Sequence, residues 1–290
     1  GETRLNLNVL EERSWASGVI VGNHGPESTS ENRIFANTEW INVWGRGHRF
    51  ALGLLRSEGP DSTTYGLVEY ELPVTRDGKG MVKANAYTNN FAVAASVLTS
   101  LPDIVGETTG GGVSGSYQFL RGRTRNLRAE ASYTYKDVLF QVGDLVQLST
   151  DQQIENYALF TDYTQLWDDR QLLLTGRAGV DQGRILSGAV PFQSTNFTKV
   201  IATANLLKRF EIYNWLTKEQ SYFNFVVKMN SQYTEKFLSS VEQISLGGPN
   251  AVRAFSVSDV SVDSGIYAGF ELYFDLPYDP AGYMANWPLE

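Results

Sequence analysis

The sequence has no cysteine, only two histidines and no long apolar run, and each absence removes a class of protein. Without cysteine there are no disulfides and no thiolate metal sites. His24 and His48 are the only imidazoles, and neither lies in a setting typical of Ser-His-Asp catalysis. No stretch of about 18 apolar residues occurs, so no transmembrane helix is predicted. We therefore expect no metal site, no cofactor and no enzymatic activity.

The overall composition excludes little else. A formal net charge of -8 argues against nucleic acid as a partner. A hydrophobic share of 42 % is ordinary for a soluble protein. It is equally compatible with a membrane β-barrel, in which only alternate residues face lipid. The pattern along the chain therefore has to decide between these two classes.

Apolar and polar residues alternate with a period of two in segment after segment, as in the stretches 127–135 and 266–275. Such alternation is typical of β-strands with one apolar face. No stretch has a helical period. The alternation predicts about twelve strands, near residues 16–24, 31–43, 48–57, 63–73, 79–89, 112–121, 126–136, 153–165, 171–180, 197–213, 220–233 and 263–276.

The predicted connections alternate between short and long. The long ones are 90–111, 137–152, 181–196 and 234–262. Short periplasmic turns and long outer loops are the signature of outer-membrane barrels. Tryptophan supports this arrangement, because Trp15, Trp40, Trp44, Trp167 and Trp215 all fall at the ends with short turns, as an interfacial aromatic girdle requires. The glycine run 110–112 has no following Lys-Ser/Thr, so it is interpreted as the flexible edge of a long loop rather than a phosphate site.

The face opposite the apolar one is rich in charge. A soluble sandwich with one wet face would show the same pattern, as would a barrel with a wet lumen. The alternation of short and long connections favours the barrel over the sandwich, and so does the length of the strands. The residues expected on this lumen wall are Glu69, Glu71, Arg128, Glu130, Gly269, Glu271 and Asp275.

One motif is more specific. The segment 245–255 reads Ser-Leu-Gly-Gly-Pro-Asn-Ala-Val-Arg-Ala-Phe, and it resembles the loop-six signature of TpsB transporters, the haemolysin secretion/activation family of two-partner secretion. Gly247, Gly248, Val252, Arg253 and Phe255 carry the resemblance, while Ala254 replaces the usual glycine. Upstream, Gln232 and Glu242 also look like the family.

The resemblance implies a fold. It suggests an all-β, transmembrane antiparallel β-barrel with about twelve of an expected sixteen strands in this chain. Residues 1–14 look like the end of a periplasmic POTRA domain, and residues 15–290 like an incomplete barrel with loop six at 234–262. Because a barrel lacking strands leaves bare edges in lipid, we expect this chain to be part of a longer protein.

The resemblance also implies a function. The expected one is a protein translocation pore in the outer membrane of a Gram-negative bacterium, which secretes a large partner exoprotein, unfolded in transit, to the cell surface. Lipids and lipopolysaccharide of that membrane would surround it. Loop six would reach into the lumen, where Arg253 would pair with Glu271. The alternatives are a barrel-assembly or insertase relative and a general diffusion porin.

Overall fold

The computed structural model describes residues 13–23, 25, 29–59, 62–93, 103–143, 149–214, 219–248, 251–252 and 260–274. In these residues the chain is almost entirely β-strand. The helical elements in this part of the chain are short 3₁₀ turns, such as Asp168–Arg170 and Ser240–Glu242. Within these ranges no helix is long and apolar enough to cross a membrane.

Twelve strands form one antiparallel sheet in which each strand pairs with its neighbours in sequence. β12 (Ile244–Ser245) and β13 (Ser261–Val262) form a separate small ladder inside the connection between β11 and β14. The prediction of an all-β fold with about twelve antiparallel strands is therefore confirmed. The large sheet contains β1 (Trp15–Gly22), β2 (Arg33–Ile41), β3 (Arg49–Ser57), β4 (Thr63–Pro73), β5 (Gly80–Val93), β6 (Ile104–Arg121), β7 (Arg125–Val142), β8 (Thr150–Trp167), β9 (Leu172–Ser187), β10 (Asn196–Asn214), β11 (Glu219–Tyr233) and β14 (Gly265–Phe274).

One face of the sheet carries a continuous apolar band. A row of directly paired residues on this face runs through Val200, Val180, Leu159 and Ala131 on four successive strands. Phe270 on β14 belongs to the same face and is 74 % exposed. Soluble monomers rarely expose a contiguous apolar patch of this extent, so the band requires an apolar surrounding. Outward exposure of Ile266, Ala268, Phe270 and Leu272 rules out a soluble sandwich that buries them.

Aromatic residues gather where the short turns connect the strands. Trp15 donates a hydrogen bond from its ring nitrogen to the Thr38 hydroxyl at 2.8 Å, beside the pair of Trp40 and Phe50, whose ring centroids lie 5.6 Å apart. Trp167 ends β8 at the same side of the sheet. This distribution is that of an interfacial girdle. Trp215 and Trp287 lie outside the described residues.

Several strands are longer than their alternation predicted, and the expected long loops were partly wrong. Residues 90–93, 104–111, 137–142, 150–152 and 181–187 continue β5 to β9 instead of forming loops. Beyond the apolar band the outward face becomes polar, with Glu107, Asp137 and Glu155, so the alternation disappears while the backbone ladder continues. The strands of β6 to β9 therefore extend past the apolar layer.

The glycine run also lies in a strand, in the middle of β6, so its interpretation as a flexible loop edge was wrong. A side-chain carbon on Gly112 would lie 2.7 Å from the Tyr133 carbonyl oxygen, and one on Gly110 would lie 2.8 Å from the Tyr135 carbonyl and from the Tyr87 ring. These distances are too short for any larger residue. Glycine is needed here because neighbouring strands and the Tyr87 side chain come so close.

Candidate functional site: the polar face and the loop anchored on it

The polar face carries ion pairs that bridge neighbouring strands. Arg49 on β3 donates to Glu39 on β2 at 2.7 Å and to Glu69 on β4 at 2.6 Å, and Glu71 lies 3.9 Å away. Lys83 on β5 reaches Glu69 at 3.5 Å. Arginine suits this position because its planar fork can serve two carboxylates at once. The cluster sets two cations against three carboxylates, so this part of the wall is charged and only partly neutralised.

A second cluster lies on β7 to β9. Arg177 donates to Glu130 at 2.8 Å and to Asp162 at 3.0 Å, and Arg128 lies 3.1 Å from Asp162. The Arg177 guanidinium also covers the Phe160 ring at 4.2 Å from its centroid. Glu69, Glu71, Arg128 and Glu130 thus all lie on the polar face.

The polar face is concave. A cavity of about 430 Å³ on this face is lined by Arg33 from β2, by Tyr65 and Tyr87 from β4 and β5, by Lys136 from β7 and by Val241 from the long connection. In a flat sheet β2 and β7 would be about 24 Å apart, given a strand spacing near 4.8 Å. One cavity of this size touches both only if the sheet curls around its polar side.

The connection between β11 and β14 folds back onto this concave face. Glu242, in a 3₁₀ turn of the connection, forms ion pairs with Lys136 on β7 and Lys199 on β10. Asn156 on β8 donates to the same carboxylate at 3.3 Å, and Asp181 on β9 pairs with Lys199 at 3.1 Å. The Glu242 side chain is only 1 % exposed. Three strands, β7, β8 and β10, therefore hold one carboxylate of the loop, and β9 contributes indirectly through the pairing of Asp181 with Lys199.

The electrostatics of this carboxylate follow from its surroundings. Burial by itself raises the pKa of the Glu242 carboxyl, but Lys136 and Lys199 outweigh burial and hold that pKa below its ordinary value. The ionised form is thus the one that the site stabilises. A buried charge is tolerated only when it is paired in this way.

An apolar contact and a polar contact reinforce the same attachment. Leu238 packs into a buried cluster with Val138, Ile154, Ile185 and Phe197 on the strands. Ser239 donates from its hydroxyl to the Gln152 side-chain oxygen at 2.7 Å. Residues 238–242, with these partners, are referred to below as the anchor.

After residue 242, two segments of the connection between β11 and β14 pair with each other. β12 and β13 place Ile244 opposite Val262, and the Leu246 amide donates to the Val260 carbonyl at 2.8 Å. Gly247 and Val252 form a bridge, and Gly248 has a φ of +101°, which glycine adopts without strain. Gly247, Gly248 and Val252 of the predicted motif therefore form one turn, whereas Arg253 and Phe255 lie outside the described residues.

The predicted acidic partner occupies β14. Glu271 forms an ion pair with Lys228 on β11 at 2.9 Å and accepts a hydrogen bond from the Tyr273 hydroxyl. Gly269 is on the same face, and the Tyr267 hydroxyl lies so close to it that a larger residue would require the Tyr267 side chain to shift. Whether Arg253 approaches Glu271 stays a prediction, and Asp275 lies outside the described residues.

Sequence reasoning missed the residues that hold the loop. Glu242 was noticed only as part of a family-like run, and Lys136, Asn156, Asp181 and Lys199 were not singled out. The signal available was their position on the polar face, which many other charged residues share. Among the described residues no group of three His, Cys, Asp or Glu side chains could hold a metal ion.

The family of the haemolysin secretion/activation proteins ShlB, FhaC and HecB matches residues 1–284. The chain belongs to this family. The heme/hemopexin transporter protein HuxB of Haemophilus influenzae (strain 86-028NP) is 25 % identical over 300 residues, which cover 96 % of this chain and 48 % of HuxB. The chain thus spans about half the length of the curated relatives that it matches.

Solved structures show the same fold. CdiB from Escherichia coli superposes with a TM-score of 0.77 at 17 % identity, over 93 % of this chain and 50 % of CdiB. BamA from Haemophilus ducreyi lacking POTRA domains 1–3 gives a TM-score of 0.57 at 15 % identity, over 95 % of this chain and 56 % of that one. The haemolysin secretion/activation chain therefore has the fold of a transmembrane antiparallel β-barrel.

Proposed function

We propose that this chain is the pore-forming part of an outer-membrane transporter that secretes a partner exoprotein to the surface of a Gram-negative cell. The observation that carries the proposal is a charged concave face with a long loop anchored on it, in a member of the haemolysin secretion/activation family. The ion-paired wall supports the proposal of a water-filled lumen. The outward apolar band supports the proposal that the outer face contacts lipid. Membrane lipids and lipopolysaccharide would contact that band.

The partner would cross unfolded, because a single extended chain fits a passage that also holds a loop. POTRA domains, of which residues 1–14 would be the end, would recognise the partner in the periplasm by strand addition. No catalytic step is proposed.

The alternatives are less well supported. A diffusion porin has no reason to anchor a loop of this family across its lumen. A barrel-assembly relative shares the fold, but the structural likeness to BamA is weaker than the likeness to CdiB. Measuring secretion of the partner encoded beside the full-length gene, with and without the transporter, tests the proposal. Unchanged surface levels of the partner without the transporter would overturn it.

Arg253 is the residue proposed to act in the loop. It would pair with lumen carboxylates, Glu271 first, because its fork forms two parallel bonds and keeps its charge. Arg253→Ala should reduce partner secretion by about tenfold or more while the barrel still inserts. Arg253→Lys should rescue poorly, since an ammonium cannot reproduce the fork.

The measurement is secretion normalised to the amount of folded transporter in the outer membrane. Arg46→Ala is the matched control, because Arg46 lies exposed in the turn between β2 and β3. Export at the wild-type level from Arg253→Ala would remove this role.

A further inference from the structure

A continuous set of hydrogen bonds connects the anchor to the turn formed by Gly247, Gly248 and Val252. Gln232 on β11 donates from its side-chain nitrogen to the backbone carbonyls of Glu242 and Asp263, both at 3.0 Å. The Asp263 carboxylate accepts from the Leu238 amide at 3.1 Å and from the Gln243 side chain at 2.9 Å. The two arms of the connection are therefore tied together at the level of Glu242.

From that level the ladder of β12 and β13 leads directly into the turn. Val252 donates from its amide to the Leu246 carbonyl at 3.1 Å, and Ala251 to the Gly248 carbonyl at 3.0 Å. No long unpaired stretch separates Glu242 from Gly247 in these residues. The position of the carboxylate on the wall thus determines the position of the turn.

We propose that Glu242 is a positioning residue, which fixes the turn of Gly247 and Val252 in the lumen by docking its carboxylate between Lys136 and Lys199. The anchor stays on the wall, and the turn that follows β12 stays with it. The docking of Glu242 is a property of the folded chain. Only its effect on partner secretion rests on the proposed function.

Glutamate is required at this site for its reach and its charge. Its two oxygens serve lysines from β7 and β10, which are three strand positions apart. Glu242→Gln keeps the shape but loses both ion pairs. Glu242→Asp keeps the charge but is one methylene shorter, so it can approach the two lysines only partly.

The position of the loop can be measured by crosslinking. Val241 and Thr108 on β6 line one cavity, and this chain contains no cysteine to compete. In the full-length transporter in lipid, Val241→Cys with Thr108→Cys is joined by a short bismaleimide. The pair Tyr65→Cys with Asn89→Cys is the control, because these two residues lie directly opposite each other on β4 and β5 and neither belongs to the loop.

Glu242→Gln should lower the Val241–Thr108 crosslink yield by about fivefold or more without changing the Tyr65–Asn89 yield. Glu242→Asp should recover part of it. Glu235→Gln, the same change at an exposed glutamate of the loop, should leave it unchanged. Partner secretion should follow the crosslink yield, with folded barrel levels constant.

Two results separate the two proposals. An undiminished Val241–Thr108 yield in Glu242→Gln overturns the positioning role and leaves the secretion function intact. A lowered yield in a transporter whose wild-type form secretes no partner overturns the secretion function and leaves the positioning role intact. Equal loss in Glu242→Gln and Glu235→Gln also overturns the positioning role.

Discussion

The Arg49 cluster and the Glu242 cluster use the same chemistry in different surroundings. Both bring cations and anions from neighbouring strands together on the polar face. The Arg49 side chain is 36 % exposed, whereas Glu242 and Lys199 are 1 % and 6 % exposed. Water screens the first cluster, so each pair there contributes little to stability. The second is shielded by the loop, so removal of one partner leaves a buried charge.

This difference separates two roles on one surface. The exposed pairs make the wall charged and wettable, and we expect them to tolerate replacement. The buried set gives the loop one position.

Lys199→Met tests the buried cluster. Without the ammonium, Asp181 loses its ion-pair partner and Glu242 keeps only Lys136, so the free energy of unfolding should fall by about 3–5 kcal/mol. The matched change Arg49→Met should cost about 1 kcal/mol or less. Urea titration of the folded barrel in lipid, followed by its heat-modifiable gel mobility, measures both. Equal losses of unfolding free energy in the two variants would contradict the claim that burial distinguishes the two clusters.

A second pair of substitutions compares the outward apolar face of the sheet with its polar face. Phe270→Arg places a charge in the apolar band and should lower the free energy of unfolding by about 2–4 kcal/mol if it lies near the bilayer midplane. Asn230→Arg on the exposed polar face of β11 should have almost no effect. The same urea titration compares them, and a tolerated Phe270→Arg would contradict burial of this face in lipid.

The number and order of strands could be predicted because the outward face imposes alternation wherever it meets the apolar layer. Near Leu127 and Ile266 this pattern is unambiguous. It disappears where the outward face becomes polar, so residues 104–111, 137–142, 150–152 and 181–187 of β6 to β9 were interpreted as loops. Gly110 and Gly112 resembled a flexible segment because the close approach of Tyr87 and Tyr135 depends on pairing between strands.

The anchor could not be predicted for a different reason. Glu242 and Lys136 are 106 positions apart, and nothing in the local sequence of either specifies the other. Their contact depends on the curl of the sheet and on the path of the connection. The motif around Gly247 drew attention to this connection, but the attachment of the connection to the wall comes from residues before that motif.

The smallest effect should be that of acid on the anchor. Lys136 and Lys199 hold the pKa of Glu242 below its ordinary value. A carboxylate with a lowered folded pKa contributes stability that is fully present above the ordinary pKa and is lost as the pH falls through the folded one. The anchor should thus be complete at neutral pH and weaken only below about pH 4.

The groups that face Glu242 are Lys136 from β7, Lys199 from β10, Asp181 from β9 and Tyr87 from β5. Of these only Asp181 is also a carboxylate, and it remains in Glu242→Gln. We therefore compare the Val241–Thr108 crosslink yield of wild type and Glu242→Gln at each pH. The difference between them is the contribution of the Glu242 carboxylate. Wild type should lose yield in acid while Glu242→Gln stays low throughout. If both fell in parallel from the same starting yield, the Glu242 carboxylate would not be what holds the loop to the wall.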